Sequence, residues 1–120
     1  MNILIAERNP DQGLLWARHL ERQGADVSTA HDRDGAILSL ADTAPDLIVL
    51  ALSLGESEAL SVADYAAYRH PGVKVIFVTG SSFFTDGSIF ELAGNACACL
   101  TEATEPNDLA ALVAYHARAA

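Results

Sequence analysis

A continuous apolar run lies near the middle of the chain, between polar residues on both sides. It covers residues 47–52 and follows Pro45 and Asp46 in the segment P-D-L-I-V-L-A-L-S-L. An unbroken apolar segment of this length is typical of a strand buried on both faces, as in the middle of a parallel sheet. Functional groups in such sheets lie at the carboxyl ends of the strands. Ala51, which has only a methyl group, occupies that position here.

Four further segments have the composition of strands, either apolar, alternating or rich in β-branched residues. Turn residues such as Gly24, Gly55 and Gly72 separate them from the intervening segments. The predicted strands cover residues 2–6, 25–30, 46–51, 73–78 and 96–100.

Helix signals fall between these strands. Asn9 and Pro10 predict a helix start, since Asn caps the first turn and Pro fits the first helical position. Asp32 and Ser57 are the predicted caps of the second and third helices, and Asn95 is predicted to end the fourth in a left-handed conformation. The first four helices are predicted to end near residues 23, 42, 69 and 94, and the last to begin near residue 106. The buried face of the first helix is predicted to carry Leu15, Trp16, His19 and Leu20.

Strand and helix therefore alternate five times along the chain. This order predicts an α/β fold, a doubly wound parallel sheet with helices on both faces. The length of 120 residues predicts a single domain, residues 1–120, and a hydrophobic content of 51% is enough to fill one core.

The charge of the chain narrows the classes of partner. A formal net charge of −9 with only seven Lys and Arg residues argues against nucleic acid, because a phosphate backbone requires clusters of basic side chains. A basic protein partner is compatible with this charge. No apolar run is long enough for a membrane span, and Glu7 follows the start too closely for a signal peptide, so a cytoplasmic protein is expected.

Two cysteines stand alone in the spacing C-x-C. Cys97 and Cys99 lie two residues apart in a predicted strand, so both side chains are expected on the same face. Because no other Cys and no nearby His accompanies them, we expect small buried apolar side chains and no zinc site.

The ordered landmarks of the chain resemble the receiver domain of bacterial two-component response regulators. They are I-L-I-A-E-R near the start, P-D-L-I-V-L-A-L-S-L in the third strand, V-I-F-V-T-G in the fourth and C-L-T-E-A before the last helix. The resemblance covers roughly residues 2–118 and implies a flavodoxin-like (βα)5 sheet with strand order 2-1-3-4-5.

The resemblance also implies a chemistry, from which this sequence departs. In an ordinary receiver an Asp after strand three accepts a phosphoryl group, and an acid pair after strand one helps to hold Mg²⁺. The phosphoacceptor position aligns with Ala51, and the acid pair aligns with Glu7 and Arg8. Thr79 matches the hydroxyl residue after strand four. The Lys after strand five aligns with Glu102, a reversal of charge.

These departures predict a degenerate pocket without a nucleophile. Mg²⁺ binding is not expected, since Glu7 is the only acid left of the pair, and no cofactor is expected. The two reversed charges, Arg8 and Glu102, are predicted to form an ion pair. Glu7 and Thr79 are expected to be ordinary residues with local contacts. The alternatives are that Glu7 is a remnant metal ligand and that Thr79 still contacts an anion. The aromatic switch position of the family aligns with Cys99.

Three aromatic residues are interface candidates. Tyr115 falls off the apolar stripe of the last helix, and Phe83 and Phe84 open the fourth predicted helix. The resemblance places them on or near the face formed by the fourth helix, fifth strand and fifth helix, through which receivers dimerise or bind targets. The implied partner is a protein such as a histidine kinase or another signalling protein.

The sequence therefore predicts a stand-alone, degenerate receiver domain that acts by protein–protein contact, without phosphorylation and without enzymatic activity. One alternative is an enzyme or small-ligand binder on a flavodoxin-like scaffold, which would use Glu7, Ser53, Thr79 and Ser81. The other is a conventional receiver in which Asp46 or Glu56 replaces the missing acceptor. Asp46 lies at the wrong end of the strand, and Glu56 lies several residues beyond it.

Overall fold

The computed structural model describes residues 1–80 and 93–118. Its strands are β1 (Asn2–Ala6), β2 (Asp26–Ala30), β3 (Leu47–Ala51), β4 (Lys74–Thr79) and β5 (Ala96–Thr101). Its helices are α1 (Pro10–Glu21), α2 (Arg33–Asp42), α3 (Glu56–Arg69) and α4 (Pro106–Arg118), and a short 3₁₀ turn covers Leu52–Leu54. The predicted elements in these ranges are confirmed. The predicted helix that ends near residue 94 lies outside the described residues.

The strands form one parallel sheet in the order β2-β1-β3-β4-β5, as predicted. All five residues of the central strand β3 are buried, which confirms a strand covered on both faces. We call the segments that follow the strands the carboxyl edge, and those at the opposite end of the sheet the amino edge. The carboxyl edge comprises residues 7–9, 31–34, 52–58 and 102–105 of the described chain, and the amino edge comprises residues 21–26, 42–46, 69–74, 93–95 and 116–118.

Side chains that alternate along the strands build a separate core on each face of the sheet. Leu50 and Phe77 pack with α2 and α3 on one face. Val49 and Val78 pack with α1 and α4 on the other, around the fully buried Trp16. The two cores hold the strand ends rigidly, so the residues just beyond them have defined positions. None of the helices in the described ranges has both the length and the hydrophobicity needed to cross a bilayer.

The caps of the first two helices follow the sequence prediction. The Asn9 side chain accepts a hydrogen bond from the backbone N–H of Asp11 at 3.0 Å, and Asp32 accepts one from Gly35 at 2.7 Å. Leu15 differs from its prediction, because it is 42% exposed. The buried face of α1 instead consists of Gly13, Trp16, Ala17 and Leu20, at the spacing of a helical stripe.

Two predicted helix boundaries are wrong. Gly55, not Ser57, precedes the first turn of α3, and its φ of 117° and ψ of 135° belong to a region that side chains rarely adopt. The chain therefore turns into the helix two residues earlier than a Ser cap would allow. No described residue other than glycine has a positive φ, so Asn95 is not left-handed. Its side-chain amide instead donates a hydrogen bond to the Ala63 carbonyl at 3.1 Å.

A β-bulge corrects the prediction for the two cysteines. Val75 pairs with Ala96 but Ile76 pairs with Ala98, so Cys97 is an extra residue in β5. A bulge of this kind shifts the alternation of the side chains. Cys97 consequently packs against the core beside α1 and α4, whereas Cys99 packs against the opposite core. Both thiols are partly buried, on different faces of the sheet.

Candidate functional site at the carboxyl edge

Parallel pairing brings the candidate residues from separate parts of the chain to one edge of the sheet. Ala6, just before Glu7, pairs with Leu50, just before Ala51. Thr79 ends β4 and pairs with Thr101, which directly precedes Glu102. The carboxyl edge therefore carries the residues that align with the pocket of a receiver.

Glu7 is a buried carboxylate with incomplete hydrogen bonding. Its side chain is at the end of β1 and the residue is only 3% exposed. The Oε1 atom accepts a hydrogen bond from the Ser53 hydroxyl at 2.8 Å and from the Asn9 backbone N–H at 3.1 Å. The Oε2 atom is buried and has no hydrogen-bond partner among residues 1–80 and 93–118. A buried carboxylate oxygen without a partner costs free energy, so its position calls for a functional explanation.

Ser53 binds Glu7, a contact that the sequence did not predict. The 3₁₀ turn Leu52–Leu54 places its hydroxyl against Glu7, across 46 positions in the sequence. The residue itself is exposed. The sequence signal for this contact was a Ser two residues after β3, together with a Glu directly after the neighbouring strand β1. The small-ligand alternative uses Ser53 together with Glu7, Thr79 and Ser81. Ser53 and Glu7 do contact each other, whereas Ser81 lies outside the described residues, so this alternative stays a prediction.

Ala51 and Thr79 form the floor of this edge. Ala51 ends β3, is fully buried, and belongs to the core beside α1 and α4. Thr79 is 2% exposed, and its backbone carbonyl accepts a hydrogen bond from the Glu102 N–H at 2.9 Å. The Glu102 carboxylate lies over Gly80, close enough that a Cβ added there would be 3.0 Å from its Oε2 atom. A side chain at position 80 would therefore displace the Glu102 carboxylate by a few tenths of an ångström.

The predicted Arg8–Glu102 ion pair is wrong. No nitrogen–oxygen contact within 4.0 Å joins these two described side chains, and the ion pair found in the described ranges connects Arg33 with Asp34 at 3.1 Å. The reason is the direction of Arg8. It lines a cleft of about 370 Å³ together with residues that follow β2 and β3, whereas Glu102 lies beyond β5. The two reversed charges therefore do not neutralise each other directly.

The donor set at this edge does not fit the Mg²⁺ that the resemblance implies. Mg²⁺ requires several oxygen ligands in octahedral geometry, usually with carboxylates among them. Glu7 supplies one carboxylate, Ala51 supplies none, and Arg8 is a cation. No group of three or more His, Cys, Asp or Glu side chains suited to a metal ion occurs in the part of the chain that the structure describes.

The remaining candidate residues lie away from Glu7. Cys99, at the switch position, is partly buried in β5, and burial raises the pKa of its thiol above the ordinary value. Tyr115 is 68% exposed on α4, in agreement with its position off the apolar stripe. Phe83 and Phe84 lie outside the described residues, so the aromatic face predicted from the sequence stays a prediction.

The sheet order and the flanking helices define a flavodoxin-like (βα)5 fold. No family model matches the chain. A CheY-like response regulator receiver domain from Methanospirillum hungatei JF-1 superposes with a TM-score of 0.85 at 23% identity, over 97% of this chain and 92% of that one. A response regulator from Thermotoga maritima has a TM-score of 0.84 at 19% identity, over 98% of both chains.

Similarity in sequence points to the same class of protein. The nitrogen assimilation regulatory protein NtrX of Azorhizobium caulinodans is 37% identical over 81 residues, which are 66% of this chain. The chain spans 18% of the length of that curated relative. Together with the structural neighbours, this similarity supports a response-regulator receiver domain of two-component signalling. Its assignment as a single, separate domain stays a prediction.

Proposed function

We propose that this receiver domain signals by protein–protein contact and does not accept a phosphoryl group. The observation that carries the proposal is the side chain at the end of β3. Ala51 is fully buried at the position that aligns with the phosphoacceptor, and it has no nucleophilic atom. The neighbouring strand ends keep a receiver-like arrangement, so the scaffold is retained while the reacting group is missing.

The charges around Ala51 support the same proposal. A phosphoryl group in transfer requires cations to stabilise its charge. Here Glu102 occupies the place of the family's Lys and holds its carboxylate over Gly80. Arg8, which replaces the second acid, contributes no metal ligand. Arg8, Glu102 and the missing nucleophile all oppose phosphoryl transfer at this edge.

A receiver without phosphorylation requires a different input. An ordinary receiver is biased between two conformations by its phosphoryl group. A ligand shifts such an equilibrium only if it binds one state better than the other. We infer that a partner protein, such as a histidine kinase or another signalling protein, has this role here. The formal net charge of −9 favours a partner with a basic surface.

The test is incubation with a small phosphodonor and Mg²⁺, followed by intact-protein mass spectrometry. We expect no mass increase corresponding to a phosphoryl group on the unmodified chain. A phosphorylated receiver of ordinary sequence in the same reaction shows that the donor is active. Stable phosphoryl transfer to any residue of this chain, including Asp46 or Glu56, would contradict the proposal.

Two matched variants locate the defect. Ala51→Asp alone is expected to stay unphosphorylated, because Arg8 and Glu102 still oppose the metal and the phosphoryl charge. The triple variant Ala51→Asp, Arg8→Asp, Glu102→Lys supplies the nucleophile, the second acid and the cation together. We expect phosphorylation of the triple variant only. Labelling of the single variant would show that the missing nucleophile is the whole defect.

A further inference from the structure

We propose that the carboxyl edge takes a basic side chain, an arginine or a lysine, from a partner protein, and that Glu7 is its acceptor. The inference rests on the proposed function, since it names the chemistry by which the partner binds. The buried Glu7 carboxylate has no explanation in the fold itself. Glu7 is buried, and its Oε2 atom lacks a hydrogen-bond partner within residues 1–80 and 93–118.

The carboxylate is positioned over the end of β3. Glu7 follows β1, yet its Oε1 atom accepts the hydroxyl hydrogen of Ser53, which follows β3. The side chain therefore reaches from the end of β1 to the turn that follows β3, two residues beyond Ala51. The Asn9 backbone N–H also donates to Oε1, and this contact holds the direction of the carboxylate when Ser53 is displaced.

The residue that contacts this carboxylate from the β3 side lies at the surface. Ser53 is exposed, and its hydroxyl is held on Glu7 by the 2.8 Å hydrogen bond. Rotation of a serine side chain between staggered conformations is fast, and the hydrogen bond to Glu7 that it breaks has to be replaced by a stronger one. An incoming guanidinium or ammonium group can take the place of that hydroxyl and form a stronger, charge-assisted hydrogen bond.

The charge of the surrounding segments favours such a group. The described carboxyl edge carries two basic residues, Arg8 and Arg33, and Arg33 is already paired with Asp34. Its acidic residues are Glu7, Asp32, Asp34, Glu56, Glu58, Glu102 and Glu105. An edge with this excess of negative charge attracts cations and speeds their encounter.

A monovalent, hydrogen-bonding cation fits the site better than a metal ion. Mg²⁺ needs more oxygen ligands than Glu7 alone provides, and Ala51 has no carboxylate to add. An arginine or lysine needs only one well-placed carboxylate, and arginine can use both oxygen atoms in a bidentate pair. The unpartnered Oε2 atom supplies the second acceptor of that pair.

The test is a titration of the ¹⁵N-labelled chain with three short peptides of equal length, followed by the amide signals of Asn9 and Ser53. The peptides carry arginine, lysine or citrulline at the centre, and citrulline keeps the shape of arginine without its charge. We expect saturable shifts of both signals with arginine and lysine at about 0.15 M salt. We expect none with citrulline or with MgCl₂.

Two variants of opposite expected effect identify Glu7 as the acceptor. Glu7→Gln removes the charge, keeps an oxygen for Ser53 and Asn9, and is expected to weaken arginine-peptide binding by about 30-fold or more. Ser53→Ala removes the competing internal donor and is expected to tighten it. Glu56→Gln, the same change of charge on an exposed residue of this edge, is the matched control and is expected to retain most of the affinity.

Every other result overturns the inference. Equal binding by Glu7→Gln and Glu56→Gln would mean that the edge attracts cations only through its overall charge. Shifts with MgCl₂ in place of arginine would assign Glu7 to a metal. Absence of shifts with all probes would remove the site altogether. The phosphodonor experiment reads a different signal, so phosphorylation of the chain would contradict the proposed function whichever result the peptides give.

Discussion

The hydrogen bonding of polar side chains differs between the two edges of the sheet. At the amino edge, each polar side chain named here connects two elements. Asp46 accepts the Asn2 backbone N–H at 2.8 Å, His70 Nε2 contacts the Leu40 carbonyl at 2.7 Å, and the Asn95 amide donates to the Ala63 carbonyl at 3.1 Å. These contacts hold the ends of strands and helices together. Their role is structural.

The carboxyl edge instead contains polarity that the described residues leave uncompensated. Glu7 keeps one buried oxygen without a partner in these ranges, and Arg8 and Glu102 face different parts of the edge. The formal charges of the two edges also differ, since acidic residues outnumber basic ones at the carboxyl edge. The amino edge balances four acidic with four basic residues, which are Glu21, Asp26, Asp42 and Asp46 against Arg22, Arg69, Lys74 and Arg118.

The difference is consistent with a partner at the carboxyl edge, as the proposed function requires. Proteins satisfy buried polar groups in their structural parts and leave local rules unsatisfied at functional sites. We therefore assign the proposed partner contact to the carboxyl edge.

The largest expected effect comes from a second carboxylate beside Glu7. Ala51→Asp places a charge in a fully buried position, two residues from the Ser53 that binds the Glu7 carboxylate. We expect the free energy of unfolding to fall by roughly 2–4 kcal/mol, measured by urea denaturation. Ala51→Asn has nearly the same shape without the charge, so it is expected to be clearly more stable than Ala51→Asp.

The comparison between the Asp and Asn variants decides the cause. Equal losses of stability would mean that the position merely lacks space. In that case the charge of Glu7 would have no measurable effect on its neighbour, and the contrast between the two edges would lose its electrostatic basis.

A smaller effect is expected from the hydrogen bonds at each edge. Ser53→Ala removes a donor to a carboxylate and is expected to cost about 1.5–3 kcal/mol of unfolding free energy, whereas Asn95→Ala removes a neutral hydrogen bond and should cost about 1 kcal/mol. In a Glu7→Gln background the cost of Ser53→Ala should shrink, and that of Asn95→Ala should not change. A double-mutant cycle for each pair measures the coupling. Equal coupling of both residues to Glu7 would show that the edges are not independent.

The fold was largely predictable because local signals and sheet pattern agree. The apolar run of β3, the caps at Asn9 and Asp32 and the alternation of strands with helices each point to the same architecture. The errors arose where tertiary contacts overrule a local preference. Ser57 has the side chain of a cap, yet α3 begins at Glu56 because the chain turns through Gly55.

The site was predictable in position but not in its contacts. The alignment with receivers places Glu7, Ala51 and Thr79 at the ends of adjacent strands, where the structure has them. The bond between Glu7 and Ser53 depends on a 3₁₀ turn, and the separation of Arg8 from Glu102 depends on side-chain direction. Neither follows from residue type or spacing, because both are set by the packing of loops.

The smallest predicted effect uses the bulge in β5, which separates two cysteines that spacing alone would place together. Burial raises the pKa of both thiols above the ordinary value of 9.0, and the nearby Lys74 ammonium partly opposes this rise for Cys97. Lys74→Met is therefore expected to raise the pKa of Cys97 further and to slow its alkylation at a pH below 9.0. Cys99, on the other face, is the internal control, and its rate should not change.

The same raised pKa values determine how stability depends on pH. The folded chain holds the thiol protons more tightly than the unfolded chain, so their contribution is complete below the ordinary value of 9.0 and is lost as pH rises through the folded pKa. Because Lys74→Met raises the pKa of Cys97 further, it should make the loss of unfolding free energy at alkaline pH larger. It also removes the hydrogen bond from Lys74 Nζ to the His116 carbonyl, and this cost in unfolding free energy does not depend on pH. Denaturation of both chains at neutral and alkaline pH measures the two parts separately. An equal change in the alkylation of Cys97 and Cys99 would mean that Lys74 acts on the whole fold, and that the amino edge has no local electrostatic effect on Cys97.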